Sequence, residues 1–254
     1  MRDFILSNIS KNRTRFASSL LDILESVTYR RVAFDDQFDP VYRLRYEAYR
    51  RENFIAVNSD RIVFDEHDRA PNVYCYGVYI KERLISSIRF HHVTPEERTS
   101  PSALVFPDTL KNMLDQGISY VDPSRFTADY EASLAYPALP FLTLRIVAMA
   151  SEYFDVKYCI SSVRVEHAAF YRRVFGSERL PGVGYYPGLS FPMHLYAAEV
   201  EKIGGQVAKR FPFMMSKREE RENLFGGDGK SGTPMIIPTA RRAHEETDEW
   251  KKNQ

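Results

Sequence analysis

Segments with the two-residue period of β-strands alternate with helix-like segments between residues 28 and 200, and this alternation limits the folds open to the chain. Two strand-like segments, residues 72–80 and 83–93, are separated only by Lys81 and Glu82. So short a connection joins antiparallel strands, because parallel neighbours need a crossover of a dozen residues or more. Longer connections with helical patterns occur elsewhere, so the sequence predicts an α/β domain with a mixed sheet.

The remaining elements are predicted from the same two periodicities. Helices are expected at residues 14–27, 40–53, 106–117, 139–154 and 166–176. Further strands are expected at residues 28–34, 119–129, 157–163 and 191–200. Pro40 suits the first turn of its helix, and Gly117 and Gly176 are typical residues just past a helix end.

A chain of 254 residues is expected to form one substantial domain with two extensions. We predict an amphipathic helical arm at residues 1–28, the domain at 29–200 and a C-terminal extension at 201–254. Beyond residue 215 the chain has too little apolar pattern for a core, so we expect this part to be flexible or to lie on the surface. The arm is expected to pack on the domain, with contact to a membrane surface as the alternative.

A net charge of +1 gives no overall attraction to nucleic acid, and no nucleic-acid partner is expected. No apolar run approaches the roughly 20 residues that span a bilayer, and no signal peptide is visible, so we expect a cytoplasmic protein. Cys75 and Cys159 each lie in an apolar run and are expected to be reduced thiols. The six histidines show no metal-ligand spacing, so no metal site is predicted.

Charged residues inside or beside these apolar elements mark the candidate site. Arg45 and Tyr49 lie four residues apart and therefore share a helix face. Asp65 and Asp68 lie three apart in the long loop that follows, and Arg89 lies in the middle of a predicted strand.

The strand VDPSRFTAD carries both Asp122 and Arg125. In a regular strand these two side chains would point to opposite faces. Pro123 has no backbone N–H to donate, which favours an edge or a bulge. A bulge at Pro123 or Ser124 would bring Asp122 and Arg125 together as an ion pair and would open the sheet beside them.

The succession YRLRYEAYRRENF, DEHD, a strand arginine and DPSRF resembles acyl-homoserine lactone synthases and N-acyl amino acid synthases, a branch of the GNAT acyltransferase superfamily. The resemblance covers roughly residues 40–200, and residues 170–196 also resemble exosortase-associated acyltransferases. It implies a GNAT-like, largely antiparallel mixed sheet flanked by helices, with a bulged or splayed central strand. It also implies acyl transfer.

The resemblance assigns roles to the marked residues. It implies that three are catalytic, namely Asp122, Arg125 and Arg45. It implies that five bind substrate, namely Tyr49, Phe54, Asp65, Asp68 and Arg89. For Arg45, Asp65, Asp68 and Arg89 the alternative is a buried ion-pair network that pins the loop against the sheet. For Tyr49 and Phe54 the alternative is core packing.

The expected reaction moves a fatty acyl group from acyl carrier protein to the amine of an amino acid or similar small acceptor. The expected donor is the 4'-phosphopantetheine thioester of the carrier, and no tightly bound cofactor is expected. A carrier is favoured over CoA because residues 129–140 contain no glycine that would let backbone amides approach the pyrophosphate of CoA. Arg172 and Arg173 are expected to dock the acidic carrier, or else to form an ordinary solvated helix face. No GxSxG motif occurs, so direct attack on the thioester is expected.

Three departures from the family pattern bear on the substrate. Asp122 stands where glutamate is more usual, Tyr49 where phenylalanine is usual, and Phe54 where the lactone synthases usually have tryptophan. That tryptophan is linked to S-adenosylmethionine, so its absence favours an amino acid as the acceptor. The alternatives are a lactone synthase that uses S-adenosylmethionine and a non-catalytic acyl-binding module.

Overall fold

The computed structural model describes residues 15–186, 191–227 and 232–252. Within these residues the strands are β1 (Val27–Arg31), β2 (Val73–Ile80), β3 (Arg83–Val93), β4 (Tyr120–Ala128), β5 (Tyr158–Val163), β6 (Glu178–Arg179) and β7 (His194–Glu199). They form one sheet in the order β1-β2-β3-β4-β5-β7-β6. Only the β4–β5 pair is parallel in this sheet, so the predicted mixed, largely antiparallel sheet is confirmed.

Helices lie on both faces of the sheet. They are α1 (15–24), α2 (Pro40–Arg51), α3 (Pro107–Asp115), α4 (Tyr130–Ala135), α5 (Leu139–Tyr153), α6 (Ala168–Phe175), α7 (Val200–Arg210), α8 (Arg218–Phe225) and α9 (Ala240–Lys252). The sequence patterns missed α4, β6 and the three helices beyond residue 200. Residues 1–14 of the predicted arm lie outside the described ranges. No helix within those ranges has the length and apolar character needed to cross a bilayer.

Local sequence explains where the first elements start and turn. Asp39 caps α2 by accepting a hydrogen bond from the N–H of Val41, and Pro40 occupies the first turn. Lys81 and Glu82 both have positive φ, 48° and 66°, as a type I′ turn requires. The predicted β2–β3 hairpin is therefore confirmed, although its turn residues are not the asparagine and glycine that prefer this conformation.

The two faces of the sheet carry different partners. On one face, Tyr74 and Tyr76 of β2 stack with Phe90 of β3, and Tyr76 and Phe90 contact Phe225 of α8. Side chains alternate along a strand, so Cys75 points to the opposite face, where it meets Arg45 of α2. We call the first face the core face and the second the α2 face.

The chain beyond residue 200 contributes to the core, and Leu224, Phe225 and Ala240 correct the expectation that the part beyond residue 215 has too little apolar pattern for one. Its buried apolar residues in the main cluster are Phe211, Phe213, Met214, Leu224, Phe225 and Ala240. The sequence misled because these residues are scattered between short polar segments. Their apolar faces become continuous only when they pack on α5.

A buried ion pair fixes this extension to the domain. The Arg145 Nη1 of α5 lies 2.5 Å from Oε1 of Glu220 on α8, and neither side chain is exposed. Arg145 also donates to the carbonyl of Phe213, at 2.8 Å. Glu220 Oε2 accepts from the N–H and the hydroxyl of Thr239, at 2.8 and 2.6 Å. The hydrogen-bond partners named here all come from the extension, so Arg145 joins three of its segments to the domain.

We predict that Glu220→Gln lowers the free energy of unfolding by about 3–5 kcal/mol, because it leaves the Arg145 guanidinium buried without a counter-charge. Glu222→Gln on the same helix is the matched control. Glu222 is half-exposed and forms a surface ion pair with Arg218, so its change should stay below about 1 kcal/mol. Urea unfolding of both variants measures the difference, and equal effects would contradict a special role for the buried pair.

Candidate active site

An ion-pair network joins α2, the loop after it and two central strands. Arg45 Nη1 lies 2.8 Å from Oδ1 of Asp68, and both side chains are fully buried. Arg89 Nη1 bridges the two aspartates, 2.6 Å from Asp65 Oδ1 and 3.0 Å from Asp68 Oδ2. Arg125 Nη2 lies 2.5 Å from Asp65 Oδ2. Three guanidiniums and two carboxylates thus pin the loop onto the α2 face of the sheet.

The spacing of the two aspartates follows from a short 3₁₀ turn, Glu66–Arg69. Asp65 caps this turn, and the Asp68 carboxylate accepts a hydrogen bond from the N–H of Asp65. Burial alone would raise the pKa of Asp65, but the guanidiniums of Arg89 and Arg125 hold it well below its usual range. Asp65 is therefore a permanent anion that positions Arg89 and Arg125, and it is too weak a base to accept a proton from an amine.

Asp122 has different partners from those expected from the sequence. The predicted ion pair with Arg125 is not formed, because Arg125 pairs with Asp65. The fully buried Asp122 carboxylate instead accepts hydrogen bonds from Ser100 Oγ at 2.6 Å, the Ser102 N–H at 2.9 Å and Ser102 Oγ at 2.7 Å. Burial raises the pKa of Asp122, and these donors only partly offset the rise.

The strand that carries Asp122 is bulged, but two residues later than predicted. Ser87 pairs with Thr127 and Arg89 pairs with Ser124, so one residue of β3 opposes Arg125 and Phe126 of β4. Arg125 itself has a φ of 53°. The bulge rotates Arg125 onto the α2 face that Asp122 also occupies, which explains how both can border one site without touching each other.

β4 and β5 part after two residue pairs, Tyr120 with Tyr158 and Val121 with Cys159. A cavity of about 100 Å³ lies beside the opening on the core face. Its lining is mostly apolar and includes Pro123, Leu144, Val147, Cys159, Tyr171 and Val207. Neither Cys159 nor Tyr171 is ionised at neutral pH, because burial raises each pKa to about 12.

Aromatic rings border the site on the α2 face. Tyr49 and Phe54, with ring centres 6.4 Å apart, lie between Arg125 and Phe191. The Arg125 guanidinium is 5.4 Å from the Tyr49 ring centre, and Phe54 is 5.6 Å from Phe191. About a third of each residue is exposed to solvent, 36% for Phe54 and 31% for the Arg125 side chain. These rings are therefore accessible to a small molecule rather than sealed in a core.

The basic pair on α6 lies apart from this constellation. Arg172 and Arg173 are exposed and, with Arg179, line an open cleft beside Tyr196. Ser177 lines both this cleft and the apolar cavity, so the cleft adjoins the cavity.

Sequence reasoning missed the residues that hold Asp122. Ser100 and Ser102 flank Pro101 in a 3₁₀ turn, Pro101–Leu104, and a Ser-Pro-Ser segment signals a turn. Nothing in that pattern ties the turn to a strand twenty residues later. Phe191 and Tyr186 were equally invisible, because loop residues without periodicity give no sign of what they cover.

Metal-ligating side chains do not gather anywhere in the described part of the chain. Cys75 and Cys159 are free thiols. Burial raises the pKa of Cys75 to about 11, and its sulfur accepts a hydrogen bond from Arg45 at 3.1 Å, which identifies it as part of the network's packing.

Solved structures share this architecture at low identity. FeeM, an N-acyl amino acid synthase from uncultured soil microbes, is 16% identical, with a TM-score of 0.58 over 72% of this chain and 96% of FeeM. The CoA-dependent acyl-homoserine lactone synthase MesI is 13% identical, with a TM-score of 0.51 over 72% of this chain and 94% of MesI. The lactone synthase LasI is 15% identical, with a TM-score of 0.50 over 79% of this chain and 94% of LasI. These likenesses establish the fold.

The family is established by sequence. No curated protein matches the chain. A family profile described as N-acyl amino acid synthase FeeM matches residues 40–199, which is more than half of the chain and spans every element from α2 to β7. That range contains the ion-pair network, the bulged strand and the opened sheet. The protein therefore belongs to the FeeM family of N-acyl amino acid synthases and is an acyltransferase with a GNAT-like fold.

Proposed function

We propose that the protein transfers a fatty acyl group from acyl carrier protein to the amine of an amino acid or a similar small acceptor, by direct attack on the thioester. The observation that carries this proposal is the apolar cavity beside the point where β4 and β5 part. It offers a place for an acyl chain on one face of the sheet. Polar groups of the bulged strand lie on the other face.

A carrier protein is favoured as the donor by the chain that precedes α5. In place of a glycine-rich loop, this chain forms the short helix α4, whose N-terminus is already capped by the Asp129 carboxylate through the N–H of Ala132, at 2.9 Å. Asp129 also pairs with Arg83. A pyrophosphate would have to displace this carboxylate, which argues against CoA binding in the manner of glycine-rich phosphate loops.

The docking surface for the carrier is the exposed Arg172 and Arg173. The cleft that they line adjoins the cavity, so a carrier bound there lies beside the site that would receive its acyl chain. Carrier proteins are acidic, and a basic surface steers them by long-range attraction.

Acceptor binding is assigned to Arg125, Tyr49 and Phe54, whose exposed parts line one surface. Arg125 has donors beyond the one given to Asp65, and a guanidinium can hold the carboxylate of an amino acid. Arg45 is fully buried, so we assign it a positioning role through Asp68 rather than contact with substrate. Asp65, Asp68 and Arg89 complete that support for Arg125.

Direct attack is favoured over a covalent acyl-enzyme by the state of the thiol nearest the cavity. Burial raises the pKa of Cys159 to about 12, and no base that would ionise it accompanies it among the residues lining the cavity. The amine is then the nucleophile and must lose a proton as it attacks. Asp122, with its raised pKa, is the group assigned to receive that proton.

Turnover by the purified protein tests the proposed function. Purified protein incubated with dodecanoyl carrier protein and a mixture of the twenty amino acids should form N-acyl amino acids, detected by mass spectrometry. Asp122→Asn should lower kcat/KM by about 100-fold or more, the usual contribution of a general base. Arg125→Ala should raise the acceptor KM roughly tenfold or more, through loss of a charge-assisted contact.

Asp115→Asn is the matched control for Asp122→Asn, because Asp115 is exposed on α3 and pairs only with surface cations. Unchanged turnover in the Asp122 variant would contradict its assignment as the base. Acyl binding without any turnover would indicate a binding module, and product formation only with S-adenosylmethionine would indicate a lactone synthase.

Substitutions of Arg172 and Arg173 test whether the donor is a carrier protein. Arg172→Glu and Arg173→Glu should each lower kcat/KM with acyl carrier protein by roughly tenfold at low salt and less at high salt, because surface charge steers encounter. Neither should change the rate with dodecanoyl-pantetheine, which lacks the carrier. Arg218→Glu, which changes another exposed arginine, on α8, is the control. Equal losses with both donors would mean that the two arginines do not recognise the carrier.

A further inference from the structure

Asp122 is linked to the hydroxyl of Tyr186 through a single side chain. Ser102 Oγ lies 2.7 Å from Asp122 Oδ1 and 3.2 Å from the Tyr186 hydroxyl oxygen. A serine hydroxyl has one proton to give, and the carboxylate can only accept. Ser102 therefore donates to Asp122, and Tyr186 donates to Ser102. The three groups form a directed chain of hydrogen bonds that ends on the carboxylate.

Asp122 itself has no surface with which to meet a substrate. Its relative exposure is 0%, and its two oxygens are occupied by the three donors from Ser100 and Ser102. Any proton that reaches Asp122 must pass through a neighbour. Tyr186 is only partly buried, and its oxygen retains lone pairs after donating its own proton.

The backbone holds Tyr186 in this place. Gly184 and Met193 exchange two backbone hydrogen bonds, at 3.1 and 2.8 Å, which ties the chain before and after Tyr186 together. A side chain at Gly184 would collide with Val105, which follows the turn that carries Ser102. The absence of a side chain at Gly184 thus lets the Tyr186 segment lie directly against that turn.

The Tyr186 hydroxyl also lies at the opening in the sheet. It is close enough to Ser162 of β5 for that residue to affect its pKa, while Ser102 connects it to β4. The hydroxyl therefore lies between the two strands that part, on the α2 face. An amine that attacks a thioester lodged in the opening would approach from this side.

We propose that Tyr186 is a catalytic residue, which takes the proton of the attacking amine and passes its own proton through Ser102 to Asp122. The inference rests on the acyl transfer proposed above. As the amine nitrogen bonds to the thioester carbon, its proton goes to Tyr186, the tyrosine proton goes to Ser102, and the serine proton goes to Asp122. When the carbon–sulfur bond breaks, the departing thiolate takes a proton back along the same chain, so that no proton is gained or lost.

Tyr186 transfers protons but is not itself the base, because it stays protonated between turnovers. Burial, followed by the negative charge of Asp122, raises the pKa of Tyr186 to about 12, so its hydroxyl stays protonated at neutral pH. The proton rests on Asp122, whose burial makes it a stronger base than an exposed aspartate. Activity should fall as the pH drops and Asp122 becomes protonated, and this acid limb should lie above about pH 3.9, where an exposed aspartate titrates.

Other groups around Asp122 do not account for such a limb. The charged and titratable side chains that interact with Asp122 or lie opposite it are Arg89, His91, Tyr120, Cys159 and Tyr186. Burial, with help from the charge of Arg89, lowers the pKa of His91 to about 3, so this histidine is neutral across the working range. The tyrosines and the thiol titrate far above neutrality.

The test compares Tyr186→Phe with Tyr185→Phe. The two tyrosines are adjacent, and Tyr185 is 60% exposed, so Tyr185→Phe removes an equivalent hydroxyl group from the same segment. With dodecanoyl carrier protein and the accepted amino acid, Tyr186→Phe should lower kcat by about 100-fold with KM nearly unchanged and should abolish the acid limb. Tyr185→Phe should change neither quantity by more than about twofold.

Hydroxylamine provides a second readout, because its nitrogen is less basic than an amino group, so the N–H of its addition intermediate is more acidic and is lost to water with less help from a protein base. As acceptor, it should be used by Tyr186→Phe with a smaller loss than the amino acid, whereas a merely structural defect would lower both rates equally. Ser102→Ala should show the same loss of kcat and of the acid limb as Tyr186→Phe. Thermal unfolding shows whether each variant is folded, and Ser102→Ala tests the relay if Tyr186→Phe is not. Wild-type transfer with a fully active Tyr186→Phe would overturn the relay alone. No transfer by the wild-type protein would overturn the proposed function and the relay together.

Discussion

The site depends on the separation of two parallel strands after only two paired residues. Up to Val121 and Cys159 the sheet is continuous, and beyond them each strand has lost one neighbour. A buried strand edge leaves backbone groups unpaired, which is costly unless a ligand or side chain meets them. The apolar cavity lies beside this opening on the core face, and the polar groups of the bulged strand lie on the α2 face. An amphipathic substrate such as an acyl thioester matches that division, because its chain and its reacting carbonyl need opposite environments.

The ion-pair network makes sense as positioning rather than as stabilisation. Burying Arg45 and Asp68 completely costs several kcal/mol per charge in desolvation, which their attraction only approximately repays. The network instead holds its members in fixed positions, because Arg89 and Asp65 link α2 to Arg125 on the bulged strand. The pair between Arg145 and Glu220 does the same for the C-terminal extension. In both cases a buried arginine pairs with a carboxylate on a separate segment of the chain and so sets where that segment lies.

Sequence patterns predicted what is local and periodic. The helix at residues 40–53 and the strands at 72–80 and 83–93 were found within two residues at each end, because burial on one side imprints a period. The bulge was expected at Pro123 or Ser124, because proline visibly lacks an N–H, whereas no sequence signal marks the positive φ of Arg125. Asp122 was paired with the wrong partner, because Ser100 and Ser102 reach it through a turn with no periodic signal.

Two aspartates of this site have opposite protonation behaviour, and their surroundings explain the division of labour. Asp65 keeps a quarter of its side chain exposed and faces two guanidiniums, which lower its pKa and leave it an anion under all ordinary conditions. Asp122 is buried among neutral hydroxyl and amide donors, which raises its pKa. A carboxylate stabilised by formal charges can hold an arginine but releases little energy on protonation. A carboxylate stabilised only by dipoles accepts a proton more readily, and this difference separates Asp65, which holds two arginines, from Asp122, the proton acceptor that we propose.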